Sequence, residues 1–66
     1  MYKLTAEDAN VKLIWRFDAS SDDQAMIEAI FQILDRAEED PAGPWAKGAV
    51  TLTDANGNVI QSMDAK

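Results

Sequence analysis

Residues 10–18, NVKLIWRFD, alternate between apolar and polar positions: Val11, Leu13, Trp15 and Phe17 point one way, Lys12, Ile14 and Arg16 the other. A period of two is that of a half-buried β-strand. YKLT, a shorter strand, carries Tyr2 and Leu4 on one face, and the polar AEDAN that follows predicts a hairpin loop. After Asp18 the period changes. At 100° per residue, Met26, Ile27, Ala29, Ile30, Ile33, Leu34 and Ala37 fall on one broad face, and Gln24, Glu28, Gln32, Asp35 and Glu39 fall opposite. Ser21 with Gln24 fits a capping box, with Ser20 and Asp23 as a close alternative. Pro41 biases Asp40 out of helical geometry, so the helix is predicted over 21–39.

Beyond the helix, PAGPW reads as a rigid loop, and GAVTLTDANGNVIQSM as two strands around a turn containing Asn56-Gly57. Two strands on either side of one helix give an α+β fold of ββαββ order: a small antiparallel sheet with the helix packed on one face. The expected core sets Met26, Ile30, Ile33, Leu34 and Ala37 against Trp15, Phe17, Val50 and Leu52. On that expectation Leu34→Ala costs about 2–5 kcal/mol.

Sixty-six residues make a single domain, 1–66, near the lower size at which one core sustains folding. A composition of 47% hydrophobic and 27% charged residues is that of a globular chain rather than a disordered one. There is no cysteine to staple so small a fold, which points to the cytoplasm. MYKLTAEDAN lacks the basic region and apolar run of a signal peptide, and AMIEAIFQIL is too short to cross a bilayer.

The same absences narrow the chemistry. Without His or Cys, the usual zinc sites and the Cys–His and Ser–His–Asp systems are closed. Ser20, Ser21 and Ser62 have no base; capping and strand-end roles account for them. DANGN resembles the start of a calcium loop, but Val59 and Ala65 stand where that loop requires Gly and Glu. No cofactor, metal or catalytic residue is expected. Paired carboxylates need a concave, desolvated site to act as acid and base, which one helix on a small sheet seldom forms. The chain reads as a non-enzyme.

Charge adds the feature that most changes the picture. The net charge is −6, and both flanks of the helix segment are neutral. Residues 20–40 hold Asp22, Asp23, Glu28, Asp35, Glu38, Glu39 and Asp40 against Arg36 alone. A solvated helix normally mixes signs, because i to i+4 pairs add a few tenths of a kcal/mol. Glu38, Glu39 and Asp40 also oppose the helix dipole. A local rule broken in this way marks a candidate functional surface, and an acidic ridge suits the basic surfaces that bind nucleic acid. Glu28, Asp35 and Glu39 are spaced along the axis by about 10 and 6 Å, of the order of phosphate separations. Trp45 reads as a lid on the core edge or as an interface anchor beside the acids. The candidate partner-binding set is therefore Glu28, Asp35, Glu38, Glu39, Asp40 and Trp45.

In its size, in the acidic helix between strand pairs, and in stretches such as WRFDASSDDQA and VTLTDANGNVIQSM, the chain resembles small phage-encoded anti-CRISPR proteins. The resemblance is to inhibitors of type I systems, particularly type I-C. It implies an inhibitor that binds the DNA-recognising large subunit of a Cascade complex and excludes target DNA without catalysis. The charge pattern by itself leads to a DNA mimic that binds a basic protein surface, with no direct nucleic acid or membrane binding, and monomeric. The competing reading is a small phage or mobile-element structural or regulatory module that assembles through its sheet. Lys12, Ile14, Arg16, Thr51 and Thr53 would be its uncovered face.

Overall fold

The computed structural model describes residues 1–64. Strands β1 (Tyr2–Glu7), β2 (Lys12–Phe17), β3 (Ala49–Thr53) and β4 (Val59–Asp64) form one antiparallel sheet in the order β2-β1-β3-β4. One long helix, α1 (Asp22–Glu39), covers a single face, and a helical turn, α2 (Pro44–Lys47), follows it. The architecture is the α+β, ββαββ arrangement that the periodicities predict. Strand β1 runs on through Ala6 and Glu7, where the sequence suggested a loop. The turn is held further on by Asp8, whose carboxylate accepts from the Asn10 and Val11 amides at 2.8 and 2.9 Å.

Ser21 caps α1: its hydroxyl accepts from the Gln24 amide at 3.2 Å, with Asp22 and Asp23 in the first turn. At the other end the Asp40 amide donates to the Arg36 carbonyl before Pro41 stops the helix. PAGPW is a loop only as far as Gly43; Pro44 and Trp45 begin α2, Pro44 in its first turn, where a missing N–H costs nothing. Gly48 ends that turn against the sheet: a Cβ there would overlap the Glu7 carbonyl. In the β3–β4 hairpin the Asp54 carboxylate accepts from the Asn56 and Asn58 amides, both at 2.9 Å, and Gly57 takes φ +86°. DANGN is thus a turn. The Asn58 amide foremost, then those of Asn56 and Gly57, holds the Asp54 carboxyl below the usual carboxylate range.

The register puts Leu13, Trp15, Phe17, Tyr2, Leu4, Ala6, Val50 and Leu52 on the face beneath α1. The buried core comprises Leu4, Ala6, Ala25, Ala29, Trp45, Val50 and Leu52, with Trp15, Phe17, Met26 and Ile33 packed against it. The sheet side is as the alternation predicts. On the helix side the expectation is corrected. Ala25 and Ala29, not the large residues, lie closest to the sheet; Met26, Ile33 and Ala37 are half-buried; Ile30 and Leu34 are exposed. The helix sits rotated by roughly a quarter turn from its apolar centre of gravity. Bulky Leu4, Leu52, Trp15 and Trp45 fill the interlayer space, so only small side chains fit where the helix comes nearest.

Three expected outcomes follow from this packing. Leu34→Ala, at a 61% exposed position, changes stability by no more than about 0.5 kcal/mol, against the 2–5 kcal/mol of a core leucine. Ala29→Leu, at a fully enclosed position, lowers it by about 1–3 kcal/mol; urea unfolding reads both. Asp54 has a depressed folded pKa, so its contribution is present above the ordinary carboxylate value and lost as pH falls through the folded one. The gap in unfolding midpoint between wild type and Asp54→Asn therefore narrows below about pH 4.

Candidate protein-binding surface

A row of stacked rings runs beneath one flank of α1. Tyr2 and Phe17 stack at 5.8 Å between centroids, and Phe17 and Trp15 at 4.6 Å. At the helix start the Tyr2 hydroxyl donates to the Asp22 carboxylate at 2.8 Å, a bond that raises the phenol pKa. Towards the helix end, the Arg36 guanidinium carbon lies 5.5 Å from the Trp15 ring centroid and 5.2 Å from that of Trp45. Arg36 thus joins α1 to β2 and to α2 through two cation–π contacts. Its buried Nε has no hydrogen-bond partner among the described residues.

This inward turn of Arg36 decides the electrostatics of the helix. The single base of residues 20–40 is drawn beneath the helix, while Asp35, Glu38, Glu39 and Asp40 are exposed and Glu28 is half-buried. Among the described residues the one ion pair, at 3.8 Å, joins the Met1 amine to Asp18. Among the described residues no basic side chain forms an ion pair with a carboxylate of α1. Arg36 does lie in the last turn, where its charge favours the dipole that Glu38, Glu39 and Asp40 oppose.

Around the helix, three strips follow one another. Outermost is an apolar ridge, Ile27, Ile30, Phe31 and Leu34, exposed by 49, 48, 60 and 61%. Its i, i+3, i+4, i+7 spacing makes it continuous, on the order of a few hundred Å². Asp23 and Glu38 mark its two ends. On one side lie Glu28, Asp35 and Glu39. On the other, about 180° away around the axis, Met26, Ala29 and Ile30 border an apolar groove of about 220 Å³ closed by Leu52, Gln61 and Met63 of β3 and β4. The expectation that carboxylates form the outward face is corrected. They form a flank and the two ends, and the crest is apolar.

The remaining candidates separate clearly. Trp45, 5% exposed, is a core residue beneath Arg36 and is no surface anchor in this conformation. On the far face of the sheet, Lys12, Ile14 and Arg16 are exposed and Thr51 is half-buried. Thr53 shares that face by register but is not uncovered: it is buried, and its hydroxyl donates to the Lys3 carbonyl. A second hollow, about 270 Å³, is lined by Tyr2, Lys3, Arg16, Thr53 and Asp54 among others. Its one carboxylate, Asp54, accepts from the turn amides of Asn56 and Asn58. Among the described residues no three metal-ligating side chains are gathered, and no helix is long and apolar enough to cross a membrane.

The periodicity alone does not single out the ridge: Phe31, at about 240° from Ala25, lies outside the apolar face it defines and extends the apolar arc beyond what one sheet can cover. The clamp has its own signature. Trp45→Ala is expected to cost about 3–5 kcal/mol by leaving a cavity. Arg36→Met, which keeps the stem but loses the charge, is expected to cost about 1 kcal/mol and to shift tryptophan fluorescence; unchanged emission would show that the rings do not sense the guanidinium.

No protein family matches the chain, and no curated protein or solved structure does either.

Proposed function

We propose that this protein is a non-catalytic inhibitor that uses the carboxylates of α1 to occupy a basic, nucleic-acid-binding surface on a partner protein. The observation that carries the reading is the withdrawal of Arg36 between Trp15 and Trp45, which leaves the acids of α1 without a basic partner. An isolated solvated helix gains from i to i+4 ion pairs; this one forgoes them and keeps one sign of charge. Unneutralised carboxylates along a rigid helix speed encounter with a basic surface and repel nucleic acid itself. Glu28, Asp35, Glu38, Glu39 and Asp40 supply the contact, and Trp45 holds their scaffold in place. The reading goes with a cytoplasmic protein, in keeping with a chain that has no cysteine. The large subunit of a type I Cascade complex, the target implied by the resemblance to anti-CRISPR inhibitors, is the first partner to assay.

Glu38→Gln/Glu39→Gln/Asp40→Asn separates function from stability. Relief of the dipole conflict leaves the melting temperature unchanged or higher. Loss of three interfacial charges, at about 0.2–1 kcal/mol each, weakens the complex several-fold, and Glu28→Gln/Asp35→Asn acts in the same direction. Wild-type binding falls steeply with ionic strength. Affinity within twofold of wild type for both variants, or salt-sensitive micromolar binding of duplex DNA by the protein alone, would overturn the reading.

A further inference from the structure

We infer that the ridge of Ile27, Ile30, Phe31 and Leu34, together with the groove bordered by Met26, Ile30, Leu52 and Met63, receives an amphipathic helix whose apolar strip is edged on one side by Lys or Arg. This rests on the acidic reading above and adds to it an apolar contact and a polarity. The ridge is the most exposed apolar surface of α1, and Ile30 belongs both to it and to the groove. An incoming helix can thus lay side chains along the ridge and set one into the hollow, in the manner of helix-in-groove recognition.

Charge selects the occupant. Glu28, Asp35 and Glu39 line only one side of the ridge, and no carboxylate lines the groove on the other. A partner strip with bases along one edge matches that asymmetry. A second copy of this chain does not. In an antiparallel helix pair related by a two-fold axis, like flanks meet, so the acidic flank would face itself. Asp23 at one end of the ridge would also meet Glu38 of the other copy. Such like-charge juxtapositions oppose association.

The test uses the intact protein and two synthetic peptides of equal positive charge, with binding read by fluorescence anisotropy. One is a helical Leu/Lys peptide with its leucines on a single stripe; the other is oligolysine. The amphipathic peptide is expected to bind at least tenfold more tightly. Phe31→Ser/Leu34→Ser, both exposed positions, should abolish that advantage and leave oligolysine binding unchanged. Glu28→Gln/Asp35→Asn should weaken both peptides. Equal affinity for the two peptides, or an advantage that survives Phe31→Ser/Leu34→Ser, overturns the ridge inference while leaving the acidic reading standing. Failure of both peptides to bind overturns both readings. Sedimentation decides the alternative occupant: a wild-type dimer that the serine variant converts to monomer assigns the ridge to self-association and overturns the inference.

Discussion

The close approach of Ala25 and Ala29 to the sheet governs how everything else is arranged. These two alanines, one turn apart, share the buried core with Leu4, Ala6, Val50 and Leu52. An alanine offers little area to bury, so α1 gains proximity there rather than bulk. Larger residues would hold the layers further apart and open voids over Leu4 and Leu52, which are fully enclosed. Once the small stripe faces inward, helix geometry leaves Ile27, Phe31 and Leu34 outside. The apolar ridge is a direct consequence of how the interior is filled.

A helix seated on small residues needs other attachments against rotation. Two are present on the same flank. At the start of α1, Tyr2 donates to Asp22; near its end, Arg36 is held between Trp15 and Trp45. Arg36 suits this position better than lysine would, because a planar guanidinium stacks on rings and is weakly hydrated. The same placement links stability to surface charge: the cation that would have offset the carboxylates is committed beneath the helix.

Period-two and period-3.6 patterns, an N-cap, a proline stop and Asn56-Gly57 were enough to read the element order and the inward face of the sheet. Those signals are local. The rotation of α1 was not legible, because its apolar positions, from Ala25 to Phe31, span an arc of about 240° and one sheet covers roughly half of that. Choosing the buried part of the arc required knowing that Trp15 and Trp45 already occupy the space. The same long-range fact hid the role of Arg36, which in sequence is one base among acids, and the burial of Trp45, whose place depends on a helical turn that Pro44 begins. The acids were visible as a cluster; their division into a flank and two ends was not.

A domain this small with so much apolar surface on one helix meets a hazard of its own, because such patches drive non-specific association. The carboxylates answer it. Asp23 and Glu38 cap the two ends of the ridge, and Glu28, Asp35 and Glu39 run beside it, so copies approaching ridge to ridge bring like charges together in the antiparallel arrangement. Repulsion of that kind opposes self-association through the ridge. The charge that opposes the helix dipole at Glu38, Glu39 and Asp40 then has a physical reason. It costs the helix a little stability, and it guards the end of an apolar surface that the fold cannot bury.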